Sequence, residues 1–195
     1  MKSISILSVS LLILGISSTH SNAQFEYEVS DELPYGAINP NAPAELADFD
    51  PLIGLNECVS ELRNPDGSWN EPNTLYWKWK YIMNGQAVQD ETFQKGRFSA
   101  GSIRQFNPDS SAWFVHYYSS NSPIATLPSW KGGKNDNADI ILYREQTAPN
   151  GMDGFYKINF LNIQDDSFYW QGEWVNPDES IIYPTWKIDC KKIDG

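Results

Sequence analysis

Histidine, cysteine and positive charge are all scarce in this chain of 195 residues. Only His20 and His116 are present, and His20 falls in an N-terminal leader. A zinc site built on two or three histidines is therefore excluded. A Cys–His nucleophile pair would have to draw on one of only two cysteines, Cys58 and Cys190. Lys and Arg together number 14 against 25 Asp and Glu, a net charge of −11. Such a surface repels nucleic acid and anionic membranes, so neither is an expected partner. Past the leader no apolar run is long enough to span a bilayer. There is no phosphate-cradling Gly loop and no Gly-x-Ser-x-Gly elbow. Asn135-Asp136-Asn137-Ala138-Asp139 is acidic, but Ala138 breaks the alternation a calcium loop needs. No metal and no cofactor are expected.

The leader itself reads as a Sec signal peptide over residues 1–23. Lys2 supplies the positive start, Ile4 to Ile16 the apolar stretch, and Ser21-Asn22-Ala23 the small residues before a cut ahead of Gln24. Removing Lys2 takes the charge from −11 to −12. The expected product is soluble and exported, either periplasmic or secreted. An oxidising compartment and an even cysteine number point to a Cys58–Cys190 disulfide, the alternative being two separate buried thiols. Residues 24–48 read as an extended, Pro-containing arm with a short helix after Pro43 that ends before Pro51. Leu46 and Phe49, three apart, are placed to pack onto the body of the fold, which is assigned to 49–195.

From Leu52 onward the pattern has period two. Leu75, Trp77, Trp79, Tyr81 and Met83 share one face while Lys78 and Lys80 share the other. Asn84-Gly85 then predicts a two-residue hairpin turn. Asn64-Pro65-Asp66, Asn107-Pro108-Asp109 and Asn176-Pro177-Asp178 repeat one reverse-turn formula, with Pro fixing φ at the second position. The remaining strands are placed at about 53–63, 98–106, 112–119, 124–130, 138–147, 154–163, 167–175 and 181–191, about ten in all. With no helix to cross between parallel strands, the order is an antiparallel meander. Cys58 falls in the first strand and Cys190 in the last. Bonded, they would close an up-and-down barrel. Cys190 shares strand parity with Ile182, Trp186 and Ile188, as Cys58 does with Leu62.

Phe49-Asp50-Pro51-Leu52-Ile53-Gly54-Leu55-Asn56-Glu57-Cys58, together with Pro65 to Trp69, Tyr81 to Asp90, Ile103 to Pro108 and Phe168 to Glu173, resembles the bacterial lipocalin-like (calycin) proteins. The likeness runs from about Phe49 to Lys192. It implies an antiparallel barrel around a small-molecule cavity and supplies no reaction. Calycins often open with Gly-x-Trp. Here Asn56 stands in the Trp position, so any plug at the barrel base must come from another residue. Haem-binding calycins use a His near the chain end, and this chain has none there.

Aromatic residues are what the chain has in plenty: 8 Trp, 10 Tyr and 9 Phe. About ten strands enclose more space than an eight-strand core that side chains fill, so a pocket is expected. Trp77, Trp79, Trp113, Trp170 and Trp174 are the candidates to line it and to stack on a ring-bearing ligand. Arg104 and Arg144 lie in parity with apolar neighbours and are candidates to hold a ligand carboxylate or phosphate. His116 and Glu173 are the candidates for proton transfer, should they face inward. The expected function is a small-molecule carrier. The alternatives are an isomerase, lyase or hydrolase in the same cavity, or a carbohydrate-binding module on the outer face.

Overall fold

The computed structural model describes residues 25–94 and 99–194. The signal peptide assigned to 1–23 lies outside the described residues. Ten strands follow one another: β1 (Gly54–Leu62), β2 (Asn73–Ile82), β3 (Ala87–Phe93), β4 (Ser99–Asn107), β5 (Ala112–Ser119), β6 (Ser129–Lys134), β7 (Ile140–Glu145), β8 (Phe155–Leu161), β9 (Ser167–Val175) and β10 (Ile182–Asp194). Each pairs antiparallel with its sequence neighbours, and β10 returns to pair with β1. The result is a closed up-and-down barrel with no free edge. Cys58 and Cys190 stand directly opposite each other in the β1–β10 register and are bonded. Their parity sets which face of the terminal strands is inward.

Three local expectations are corrected. The strand placed at 124–130 is at Ser129–Lys134 instead. Its Gly132-Gly133 looks like a turn, but Gly132 is a strand residue whose missing Cβ matters. A Cβ there would come within 2.0 Å of the Ile141 carbonyl oxygen on β7. The loop after β2 covers residues 83–86 rather than Asn84-Gly85 alone, with positive φ at Met83, Asn84 and Gly85. The N-terminal arm grips it: Asn84 Oδ1 accepts from Tyr27 N–H and Gly85 O accepts from Asn39 N–H. Finally, Ile182 is more than half exposed, because β10 is bulged between Pro184 and Trp186 and the inward parity shifts there.

The short helix is a 3₁₀ helix over Ala44–Leu52, with Pro51 inside it. It therefore crosses the boundary drawn at residue 49 and belongs to the barrel as much as to the arm. Leu46, Phe49 and Leu52 are wholly buried. Phe49 enters one end of the barrel, with its ring 5.7 Å from Trp79 and edge-on to Trp113 and Phe160 at 4.9 and 5.9 Å. These rings fill that end. The plug at this end is built from Phe49, Trp79 and Trp113. Asn56 instead ties the strand to the helix, donating from Nδ2 to the carbonyls of Leu52 and Trp77.

Candidate functional site

Above the plug the barrel is hollow. A cavity of about 270 Å³ is walled by Trp77, Val115, Tyr117, Trp130, Tyr156, Ile158, Trp170, Trp186 and Ile188, with Asp90, Thr92, Ser102 and Arg104 on the remaining arc. A second hollow of about 260 Å³ adjoins it, sharing Thr92, Tyr117 and Trp186 and reaching Leu62, Asn70, Asn73 and Gln94. Together they make one chamber above the plug.

Each wall residue is placed by the alternation of its strand. Trp170 packs edge-to-face on Trp186 at 5.1 Å. Trp130 donates its indole N–H to the Tyr156 carbonyl. Tyr156 lies across β9 at Gly172, where a Cβ would sit 2.3 Å from the phenol oxygen. That oxygen is also 3.1 Å from Thr185 Oγ1. Glycine at 172 is thus what lets the Tyr156 ring form part of the wall. Burial pushes the Tyr156 phenol pKa up from its ordinary value, so it is neutral at physiological pH.

The polar arc centres on an ion pair. Asp90 and Arg104 face inward from β3 and β4, are each only 2% exposed, and are in direct contact through Oδ2 and Nη1. Asp90 Oδ1 also accepts from the Trp77 indole N–H at 2.7 Å. The guanidinium lies 4.3 Å from the Trp79 ring centroid, with Phe49 and Phe160 at 5.2 and 5.6 Å. Its Nε–H is buried with no partner among the described residues. Burial draws the Arg104 pKa down to about 9. The Tyr118 phenol opposes that shift only in part, and the group is still charged at neutral pH.

Of the seven residues read from sequence as ligand-binding, Trp77, Arg104 and Trp170 are in the wall. Trp79 and Trp113 lie in the plug, with Trp113 donating its indole N–H to Asp48 at 3.1 Å. Arg144 and Trp174 are beside the wall and not in it. The Arg144 guanidinium stands 4.5 Å from the Trp130 centroid, and Trp174 donates to the Gln146 carbonyl. His116 and Glu173, candidates for proton transfer only should they face inward, both face outward. His116 Nδ1 is 2.7 Å from Ser129 Oγ on the outer surface. Glu173 sits in an outer-face cluster, accepting from Asn159 and Gln171 and lying 3.7 Å from Lys157 Nζ. Lys157 in turn pairs with Glu179 of the β9–β10 turn at 2.6 Å. Sequence reading missed Trp130, Tyr156 and Trp186 as wall residues. Only Trp186 had a signal, through its parity with Cys190.

Among the described residues no group of His, Cys, Asp and Glu is arranged to hold a metal ion. Asn135 to Asp139 form the β6–β7 turn, with Asn135 Oδ1 accepting from the backbone of Asn137 and Asp139. No helix among the described residues is long and apolar enough to cross a membrane.

Fold and site together define a closed ten-strand antiparallel barrel with an aromatic-walled internal cavity. No protein-family model matches this chain, and no curated protein matches it. Among solved structures, it is similar to Rv2717c from M. tuberculosis at 9% identity, over 78% of this chain and 99% of that one, with a TM-score of 0.48.

Proposed function

We propose that this is an exported barrel that binds a small, largely apolar, ring-bearing molecule in its interior. The observation that carries the proposal is the chamber above the plug, walled by Trp77, Trp130, Trp170, Trp186, Tyr117 and Tyr156. Aromatic rings held edge-on by one another present flat faces at little entropic cost, which suits a planar guest. Export is supported by the leader pattern and by the Cys58–Cys190 bond, which needs an oxidising compartment to persist.

The test uses the neutral fluorophore N-phenyl-1-naphthylamine, whose emission rises in apolar surroundings. Wild-type protein should enhance it saturably. Ala100 lines the cavity, so Ala100→Trp should fill the space and abolish the enhancement. Phe114→Ala, on the outer face beside Lys131, should leave it intact. Enhancement that survives Ala100→Trp in a folded variant would overturn the proposal.

A further inference from the structure

The cavity is two-sided. In a ring of ten strands β3 and β4 stand diametrically opposite β8 and β9. The first pair contributes Asp90, Thr92, Ser102 and Arg104; the second contributes Tyr156, Ile158 and Trp170. A guest that spans the barrel therefore meets rings on one side and polar groups on the other.

The polar side is built rather than incidental. Arg104 is 98% buried, since its exposure is 2%, and its Nε–H, itself closed to the cavity, has no acceptor among the described residues. Leaving a buried donor unpaired is costly, and a charged one more so. Asp90 is the carboxylate that contacts it among the described residues. One carboxylate cannot meet all five N–H groups of a guanidinium. The site therefore retains donor capacity but carries no net charge, because Asp90 already neutralises Arg104. An anionic guest would bring an unbalanced charge into the interior beside Asp90, at a desolvation cost that the pair does not offset. A neutral carbonyl or ether oxygen would accept from the guanidinium without that cost.

We infer that the ligand is a small planar ring system bearing a neutral hydrogen-bond acceptor, docked with its acceptor towards the Arg104–Asp90 pair and its ring against the Tyr156–Trp170 wall. The inference rests on the cavity-binding reading above and narrows it to a ligand class. Size agrees: the cavity of about 270 Å³ and the adjoining hollow of about 260 Å³ have room for a compact ring system. It departs from the expectation, drawn from sequence, that Arg104 would hold a carboxylate or phosphate.

Three probes with one ring system separate the possibilities: naphthalene, 2-acetylnaphthalene and 2-naphthoate. Each is titrated into the full-length protein while the tryptophan indole N–H resonances are followed by NMR, with Trp77 as reporter beside Asp90. The ketone should bind about ten-fold more tightly than naphthalene, and the carboxylate more weakly than the ketone by a similar factor. Asp90→Asn keeps an acceptor for Trp77 and removes the neutralising charge, so the order of ketone and carboxylate should invert. Equal affinity for naphthalene and the ketone, or a wild-type preference for the carboxylate, would overturn the inference while leaving the cavity-binding proposal standing. If no probe moves any cavity indole, both fall.

Discussion

Replacing Asp90 tests whether the ion pair at the cavity floor behaves as the structure requires. Asp90→Leu removes the partner of a guanidinium that is itself 2% exposed. An uncompensated buried charge costs about 3–5 kcal/mol. The same change strips the acceptor from the Trp77 indole N–H, which adds about 1–3 kcal/mol. Because the two penalties share a group, we expect a combined loss of about 4–6 kcal/mol rather than their upper sum. Against a typical stability of about 5–15 kcal/mol this is close to unfolding. Arg104→Met strands the carboxylate instead and forfeits the cation–π contact with Trp79, for about 3–5 kcal/mol.

The double variant decides the matter. With both charges gone, neither desolvation penalty applies, and the Trp77 N–H is the main orphan. Its cost is about 1–3 kcal/mol. The coupling energy across the cycle should therefore be at least about 3 kcal/mol in favour of the pair. Urea unfolding, followed by far-UV circular dichroism and by tryptophan fluorescence, supplies each corner from the midpoint and slope. A coupling below about 1 kcal/mol would refute the picture of a dry, mutually neutralising pair and would imply that water reaches both groups.

Two further outcomes follow from the frame. Cys58→Ala with Cys190→Ala releases a closed loop with a sequence separation of 132 residues, for which chain entropy alone predicts a loss of about 5 kcal/mol. A fall of less than about 1 kcal/mol in urea would mean that barrel closure does not depend on the bond. The outer-face clamp predicts a pH signature. Burial opposes both charges, yet hydrogen bonds from Lys157 and Tyr143 hold the Glu179 carboxyl below its ordinary 4.5, and the Glu179 contact and nearby charges hold Lys157 above its ordinary 10.5. The Glu179 contribution is complete above 4.5 and is lost as pH falls through its lowered value; that of Lys157 is complete below 10.5 and is lost as pH rises through its raised value. Wild type should thus melt above Glu179→Gln at pH 7 and converge with it in strong acid, by no more than about 1 kcal/mol because the pair is partly solvated. An equal gap at pH 7 and pH 3 would refute the assignment.

The meander and its closure were legible because they rest on short-range signals. Period-two runs, Asn-Pro-Asp turns and the two terminal cysteines each carry their own geometry. The wall was only half legible, and parity explains why. Trp170 and Glu173 are three apart on one strand, as are Trp113 and His116. Once Trp170 and Trp113 face inward, Glu173 and His116 must face outward. Depth along the axis is a different matter. Trp77 and Trp79 share a face but differ by one strand repeat of about 7 Å. One lines the cavity and the other is in the plug, because Phe49 from the 3₁₀ helix reaches just that far. How far a segment outside the sheet penetrates depends on tertiary packing that no local pattern encodes.

That penetration also explains where the charge pair sits. Ten strands leave a bore that their own side chains do not fill, and Leu46, Phe49 and Leu52 fill only the lower part of it. Arg104 stands at the junction. The rings of Trp79, Phe49 and Phe160 lie on the plug side of its guanidinium, and it also lines the cavity. A cation at this level gains from aromatic faces below while still presenting donors above, which an aliphatic residue in its place would not do. Stability and recognition therefore meet on one side chain, and Arg104 substitutions will disturb both together. Asp90→Asn is the milder probe: it keeps an acceptor for the Trp77 N–H and the shape of the floor, but it leaves the Arg104 charge unbalanced, so its change in ligand order is read alongside its own loss of stability.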